Sequence, residues 1–273
     1  MAVRERRFAA VVQGYVRREA SVRECRRAGA VDHATTDLGL AVHGADLIVL
    51  CTPVGQMRAL VGRLLPALAP RAVMTDVGSV KDGLVQDLER LALRAGARFV
   101  GSHPMAGAEK TGVAHARPDL FHGAICAVTP TLNTSAAALK KVKALWHAVG
   151  ARTIALPPAA HDDLVSRSSH LPHFVAAQLV NQVLRPGRRK AQPLLCAHGF
   201  RDTTRVASGS PDMWRDIALA NRRYLARAIT EFVAGLSEFR AALLASNAAQ
   251  IEAFLAEAKA RRDAWVSRTN SPE

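Results

Sequence analysis

The first part of the chain alternates short apolar runs with longer stretches in which apolar residues recur at helical spacing. The run Leu47-Ile48-Val49-Leu50 is apolar on both faces, as expected for a strand buried inside a parallel sheet. Strands that alternate with helical stretches indicate βαβ units. The pattern predicts strands at 8–13, 47–51, 73–76, 99–101, 125–129 and 152–155, and helices at 20–28, 54–68, 80–95 and 135–149. We therefore expect residues 1–155 to form an α/β domain, a Rossmann-like doubly wound parallel sheet.

The pattern changes after Leu156-Pro157-Pro158, and residues 156–273 show no convincing strand. Helical periodicity predicts helices at 161–184, 199–207, 211–246 and 248–267. We therefore expect an all-α C-terminal domain. The long helix at 211–246 fits either a homodimer interface or the core of a monomeric domain, and its periodicity does not separate the two.

Charge and composition narrow the classes of partner. The net charge is +14, but the basic residues are mostly dispersed Arg and aromatic residues make up only 5% of the chain. Without a basic stripe interleaved with aromatics, we expect a solvated Arg-rich surface and no nucleic-acid partner, with some positive charge serving an anionic substrate. No run approaches the roughly 18 apolar residues of a membrane span, so no membrane partner is expected. Four scattered Cys without a CxxC pair indicate a reduced, cytoplasmic protein.

The segment 101–121, GSHPMAGAEKTGVAHARPDLF, is too interrupted by Gly and Pro for a helix and is rich in polar groups. Open α/β sheets place their chemistry in loops at the carboxyl ends of strands. Long connections without secondary structure are usually functional or disordered. We interpret this segment as a candidate active-site loop, the alternative being a surface loop with chance polar residues.

One feature of a dinucleotide-binding domain is not found. Such a domain opens with a strand, a GxGxxG loop and a helix, and the loop holds the pyrophosphate. No GxGxxG occurs near the N-terminus, and residues 8–15 look like the end of the second strand of such a domain. Three explanations stay open: a start placed too far downstream, a shortened product, or a chain that folds without this unit.

Four segments, in order along the chain, resemble the prephenate/arogenate dehydrogenase family of tyrosine biosynthesis. They are DVGSVK at 76–81, GSHPMAGAEKTG at 101–112 continued by DLF at 119–121, SHLPH at 169–173, and FRDTTRVA at 200–207 followed by Met213-Trp214. The resemblance implies oxidative decarboxylation of prephenate or arogenate with NAD or NADP. Hydride leaves the ring carbon that bears the hydroxyl, carbon dioxide leaves the opposite ring carbon, and the ring becomes aromatic.

The resemblance makes His103 the catalytic candidate. A neutral imidazole, with an ordinary pKa near 6.5, can accept the hydroxyl proton as hydride departs; the alternative is a structural His at a turn. Ser79 is expected to orient His103 by a hydrogen bond and to contact the nicotinamide ribose. Ser79 is also a good N-cap for a helix starting at Val80, and the two roles are compatible. The pair His161-Asp162 resembles a domain-junction segment that helps to position the following helix.

The resemblance also assigns substrate contacts. A bidentate guanidinium suits one of the two carboxylates of prephenate, and Arg205 is the candidate. His173 is the expected substrate contact, and His170, three residues earlier on the same helix face, is expected to support it. Glu109 pairs with Lys110 to stabilise the loop or to gate the site. No further His or Cys lies at motif spacing, so no metal is expected.

Cofactor contacts are expected after two strands. One set follows a buried strand, where a ribose or nicotinamide would lie, and consists of Thr52, Pro53 and Val54. NAD enzymes ordinarily place an acidic residue after the second strand to bind the adenine ribose. Here Val16 takes that position and is followed by Arg17 and Arg18. Since Arg accommodates a 2′-phosphate, the sequence favours NADP over NAD, the alternative being that Arg17 stacks on adenine or faces solvent.

Two other functions stay open at this point. A catalytically silent, truncated homologue would retain helical dimerisation and ligand binding without turnover. A dehydrogenase of β-hydroxy acids would share the two-domain architecture, although the HPMAGAEK and SHLPH segments argue against it.

Overall fold

The computed structural model of the chain describes residues 1–107, 112–187 and 190–270. It divides into two compact units, Met1–Arg222 and Arg223–Glu273.

The described strands of the first unit form parallel ladders with one antiparallel pair. They are β1 (Gln13–Tyr15), β2 (His33–Thr35), β3 (Leu47–Leu50), β4 (Val73–Asp76), β5 (Arg98–Phe99), β6 (Gly101–Pro104), β7 (Ile125–Thr129) and β8 (Arg152–Ala155). Strands β1 and β2 pair in parallel, as do β3, β4 and β5; β7 pairs in parallel with β8 but antiparallel with β6. Because Leu50 is in register with Asp76, the carboxyl ends of β3 and β4 lie side by side.

Helices follow most strands of this unit. They are α1 (Ala2–Glu5), α2 (Glu19–Arg27), α3 (Leu38–Val42), α4 (Val54–Leu64), α5 (Asp82–Arg94), α6 (Ala136–Ala148), α7 (Pro158–Val165), α8 (Leu171–Val183), α9 (His198–Thr204) and α10 (Pro211–Ala220). Three begin at their own side-chain caps: Asp37 accepts from the Leu40 amide at 3.0 Å, Ser135 from the Ala138 amide at 3.2 Å, and Ser210 from the Met213 amide at 3.5 Å.

The strands β3 and β4 are covered on both faces. Ile48, Leu50 and Met74 pack with α4 and α5 in one apolar cluster. Leu47, Val49 and Val73 pack with α6 in another. Since successive residues of a strand point to opposite faces, the uninterrupted apolar run of β3 fills two separate cores.

The predicted Rossmann-like fold with a helical C-terminal part is confirmed. The strands at 73–76, 125–129 and 152–155 agree with the prediction to the residue. The predicted strand at 8–13 is wrong, because Asp32 binds the Val12 amide through its carboxylate at 2.8 Å and the ladder with β2 starts only at Gln13. The short elements β2 and α3 were not predicted.

The C-terminal part of the first unit is helical, and no strand follows residue 156 within the described ranges. The predicted helix at 161–184 is interrupted by a π-helical turn, Ser166–His170, between α7 and α8. Pro172, the second residue of α8, lacks an N–H group and so removes a donor from the helical ladder just after this turn. The predicted helix at 211–246 is interrupted at Asn221 and resumes at Arg222. The Asn221 side chain makes tertiary hydrogen bonds at this break.

The second unit consists of most of α11 (Arg222–Leu244) and α12 (Ala248–Asn270). Phe239 and Phe254 pack with ring centroids 4.7 Å apart. In the single chain, α11 exposes apolar side chains at helical spacing: Ile229, Phe232, Val233, Leu236, Leu243 and Leu244. Nowhere in the described residues does a helix combine the length and apolarity needed to cross a membrane.

Candidate active site

Asp76, the last residue of β4, organises the turn that leads from β4 into α5. Its carboxylate accepts from the Gly78 amide at 2.8 Å and from the Ser102 amide at 3.0 Å, and it forms an ion pair with Lys81. Both members of the ion pair are fully buried. The Ser102 hydroxyl donates to the Asp76 carbonyl at 2.6 Å, so β6 is fixed beside the end of β4.

His103, on β6, is the first member of a chain of hydrogen bonds. Its Nδ1 lies 2.9 Å from Nε2 of His161, and Nδ1 of His161 lies 2.7 Å from Oδ1 of Asp162. Asp162 also accepts backbone amides at both oxygens, from Lys81 at 2.7 Å and from Asp82 at 2.8 Å. His161 and Asp162 are buried, with only 1% of each exposed.

This pattern determines which nitrogen atoms carry protons. Because Asp162 acts as an acceptor at both oxygens, Nδ1 of His161 donates and its Nε2 accepts. Nδ1 of His103 therefore donates to His161, and Nε2 of His103 keeps its lone pair. The site thus holds a neutral imidazole whose free nitrogen is basic.

The surroundings keep His103 neutral. Burial lowers the pKa of His103 well below 6.5, and the positive charge of Lys81 lowers it further. His103 is therefore available as a proton acceptor throughout the neutral pH range.

Asp162 has a second structural role at the N-terminus of α5. The two amides that it accepts belong to the N-cap residue Lys81 and to the first residue of the helix. A carboxylate at this position also interacts favourably with the helix dipole. The expected N-cap role of Ser79 is wrong, because α5 starts at Asp82 and is capped by Asp162 from α7.

Ser79 is half-buried, and among the described residues its side chain forms no hydrogen bond to His103. His103 bonds to His161 instead. The backbone of Ser79 lies close enough to His170 to act on the pKa of that imidazole, in the upward direction. The structure thus brings Ser79 near one predicted substrate residue, while its contact with the nicotinamide ribose stays a prediction.

His170 closes the π-helical turn and is 99% buried, with 1% exposed. Its Nδ1 lies 2.9 Å from Nδ2 of Asn221. Burial, partly offset by the Asp162 charge, lowers the pKa of His170 to about 4. His170 is therefore neutral at pH 7, and it lies close enough to His103 to influence the pKa of that residue.

His173, on α8, stacks on the indole of Trp214 from α10, with ring centroids 3.5 Å apart and planes inclined by 13°. The backbone at Gly209 approaches this stack closely. A Cβ atom at residue 209 would lie 2.6 Å from the indole nitrogen and 3.0 Å from Cε1 of His173. Only glycine therefore fits there without a shift of the rings.

Arg205 and Glu109 complete the predicted substrate set. Arg205 is exposed and starts a short 3-10 helix, Arg205–Ser208, that packs against α8. It therefore lies on the element next to the helix of His173. Glu109 falls outside the described residues.

The predicted cofactor residues lie after β3 and β1. Pro53 is the N-cap residue of α4 and Val54 its first residue, and no side chain caps this helix. Thr52, between β3 and α4, has a buried hydroxyl oxygen without a hydrogen-bond partner among the described residues. An unpaired hydroxyl beside an uncapped helix N-terminus suits a polar part of a dinucleotide. Arg17 and Arg18 are exposed after β1, with Arg18 at the N-cap of α2.

Several site residues were missed or given the wrong role. The sequence showed His161-Asp162 as a pair but not its contact with His103, which lies 58 residues earlier. It gave no role to Asn221. Asp76 and Lys81 lie in the DVGSVK segment, but their ion pair was not predicted. The sign of it in the sequence is an acidic residue followed five residues later by a lysine. Within the described residues, no group of three or more His, Cys, Asp or Glu side chains is arranged to hold a metal ion.

A parallel βαβ sheet with an uncapped helix after one strand, and a neutral imidazole base at a neighbouring strand end, is the arrangement expected of a nicotinamide-dependent dehydrogenase. Comparison with known proteins agrees with this class. Residues 1–155 match the sequence model of the prephenate dehydrogenase nucleotide-binding domain, and residues 157–257 match that of the prephenate dehydrogenase dimerization domain. The chain therefore belongs to the prephenate dehydrogenase family, which confirms the predicted family and the predicted oxidoreductase class.

Individual relatives show the same similarity. The chain is 33% identical to cyclohexadienyl dehydrogenase of Zymomonas mobilis over 79% of its length, covering 74% of that protein. It is 34% identical to prephenate dehydrogenase of Bacillus subtilis over 86% of the present chain. The match covers 64% of the Bacillus subtilis protein, which is slightly less than two thirds of that protein's length. Among solved structures, the chain resembles prephenate dehydrogenase from A. aeolicus, crystallised in complex with hydroxyphenyl propionate and NAD+. The two sequences are 33% identical, the TM-score is 0.89, and the match covers 96% of this chain and 91% of the other.

Proposed function

We propose that this chain catalyses oxidative decarboxylation of prephenate or arogenate with NAD+ or NADP+, giving 4-hydroxyphenylpyruvate or tyrosine. The observation that carries the proposal is the hydrogen-bonded chain from Asp162 through His161 to His103. It holds a neutral base with a free Nε2 at the carboxyl-end edge of the sheet, which is where this reaction needs a proton acceptor.

In the proposed reaction, Nε2 of His103 accepts the ring hydroxyl proton while the C–O bond becomes a carbonyl. A nicotinamide held by Thr52, Pro53, Val54 and Ser79 would supply the acceptor for the hydride released from the same carbon. The bond to the ring carboxylate then breaks, carbon dioxide leaves, and its electron pair makes the ring aromatic. The resulting phenolate oxygen takes up the proton that His103 holds, which restores the neutral base. His161 stabilises protonated His103 by accepting from its Nδ1, and buried Asp162 orients His161.

The substrate contacts follow from what surrounds this base. His170 and His173 lie on the turn and helix that follow His161, and Trp214 covers one face of His173. Both imidazoles have lowered pKa values because they are buried, so they bind as neutral groups. The fixed charge for a substrate carboxylate comes from Arg205.

For the cofactor, we propose that Thr52, Pro53, Val54 and Ser79 contact the nicotinamide ribose end. Arg17 and Arg18 contact the adenine end. Both side chains are exposed, so both guanidinium groups are accessible to a phosphate. This supports a preference for NADP+ over NAD+.

We propose separate binding roles for the two parts of the chain, and a homodimeric assembly. Residues 1–155 bind the cofactor, and residues 156–273 bind the substrate and form a homodimer. The apolar side chains that α11 exposes, among them Val233 at 53% and Leu244 at 71%, support a second copy as the partner of this helix.

The test is nicotinamide reduction by the purified chain in four mixtures, prephenate or arogenate with NAD+ or NADP+. Turnover is expected in at least one mixture. Arg17→Ala should lower kcat/KM with NADP+ more than with NAD+, while Arg23→Ala, on the neighbouring helix α2, serves as the matched control. A folded chain inactive in all four mixtures would contradict the proposal.

A further inference from the structure

Asn221 is a buried amide between α10 and α11, and its contacts fix how it is oriented. Its Nδ2 lies 3.0 Å from the backbone carbonyl of Asp162. A carbonyl oxygen can only accept, so the NH2 group of Asn221, and not its oxygen, faces Asp162. Asn221 is only 1% exposed, so contact with solvent does not affect which of its two polar groups faces Asp162.

The same NH2 group fixes the tautomer of His170. Nδ2 of Asn221 also lies 2.9 Å from Nδ1 of His170. Since the amide nitrogen can only donate, Nδ1 of His170 is an acceptor and carries no proton. The proton of the neutral ring is therefore on Nε2, and this nitrogen is a hydrogen-bond donor.

Among the described residues, that donor makes no hydrogen bond of normal geometry. Nε2 of His170 is buried and has no hydrogen-bond partner of acceptable geometry in the ranges the structure describes, although the backbone of Ser79 is nearby. A buried donor without a partner costs free energy, so such groups usually mark a ligand or water position. His170 also lies beside Trp214, with ring centroids 6.0 Å apart. The His170 ring therefore borders the region in which His173 and Trp214 meet.

We propose that Asn221 is a positioning residue that locks His170 in the Nε2–H tautomer, so that His170 donates a hydrogen bond to an oxygen atom of the bound substrate. The substrate class rests on the proposed function, and a carboxylate oxygen is the strongest acceptor that it offers. In this arrangement His170 recognises substrate as a neutral donor, and Arg205 supplies the charge.

The tautomer is measured first, in the ligand-free wild-type chain, by ¹⁵N NMR of the imidazole nitrogens at pH 7. The expected spectrum shows His170 with a protonated Nε2 and an unprotonated Nδ1. A proton on Nδ1 would overturn the proposal. Because no substrate is present, this result stands whether or not the chain turns over prephenate or arogenate.

The role of Asn221 is tested by Asn221→Asp, with Asn133→Asp as a control of equal charge change on an exposed loop. An aspartate at position 221 can only accept, so a proton should appear on Nδ1 of His170 in this variant and not in the control. An Nδ1 that stays unprotonated in folded Asn221→Asp would show that Asn221 does not set the tautomer.

The donor role of His170 is tested with two amide variants of different length and with 3-(4-hydroxyphenyl)propionate as the probe. His170→Gln can place an NH2 group where Nε2 lies, whereas His170→Asn reaches only the position of Nδ1. We expect His170→Gln to bind the probe within a few fold of wild type and His170→Asn to bind it about 10- to 100-fold more weakly. Equal affinity of the two variants would refute the donor role. This comparison holds even if Asn221→Asp fails to fold.

Discussion

The buried ion pair between Lys81 and Asp76 leads to a prediction about how the site is stabilised. Both side chains are fully buried. The variant Lys81→Met keeps most of the side-chain length but removes the charge, and it leaves the Asp76 carboxylate without a counterion. Breaking a buried pair on one side costs about 3–5 kcal/mol. Asp76 keeps hydrogen bonds from the amides of Gly78 and Ser102, so we expect a loss near the lower end, ~3 kcal/mol of unfolding free energy.

Removing the second charge should recover most of this loss. In the double variant Lys81→Met with Asp76→Asn both charges of the pair are removed, and the amide oxygen can still accept one backbone amide. We expect the double variant to lie within ~1.5 kcal/mol of wild type. The assay is urea unfolding at pH 7. Lys141→Met is the matched control, because it breaks an ion pair with the largely exposed Asp46 and should cost less than about 1 kcal/mol. A cost for Lys81→Met no larger than that of the control would refute the reasoning.

The same substitution has a second, independent readout at His103. The charge of Lys81 lowers the pKa of His103, so its removal should raise that pKa. His103 must be neutral to accept a proton, and the acid limb of the kcat/KM profile should therefore move to higher pH in Lys81→Met. An unmoved or lowered acid limb would contradict the proposed coupling.

Two further predictions concern the buried histidines and their glycine neighbour. Burial lowers the pKa of His170 from 6.5 to about 4, so its contribution to stability is complete above pH 6.5. As the pH decreases to about 4, this contribution should fall by ~3 kcal/mol. Urea unfolding across this pH range should therefore show a smaller loss of unfolding free energy for His170→Gln than for wild type. Gly209→Ala places a Cβ 2.6 Å from the indole nitrogen of Trp214. It should lower the unfolding free energy by about 1–3 kcal/mol and raise the KM for substrate. The control Gly199→Ala, whose Cβ would have nothing within 4 Å, should have neither effect.

The fold was largely predictable because its determinants are local. The apolar run of β3 and the amphipathic stretches of α5 and α6 carry their own period, and Ser135 marks the start of α6 by capping it. Elements of three to five residues, such as β2 and α3, contain too few positions to show a period. They form because neighbouring elements hold them.

The residues of the site could be predicted in part, and their connections could not. His103 was identified from its segment, but its partner is set by packing β6 against α7, which no spacing in the sequence reports. Ser79 was assigned a cap by local preference. The cap comes instead from Asp162, about 80 residues further along the chain. Asn221 was hidden because an asparagine in a long helical pattern gives no sign of a tertiary role.

The central claim is that His103 accepts the substrate proton, and the most direct measurement compares turnover with binding in His103→Asn. Asparagine can keep a polar contact with His161 but cannot act as the base. We expect kcat to fall about 10²- to 10⁴-fold, while the Kd for 3-(4-hydroxyphenyl)propionate stays within a few fold of wild type. A folded His103→Asn chain that turns over substrate at the wild-type rate would contradict the account.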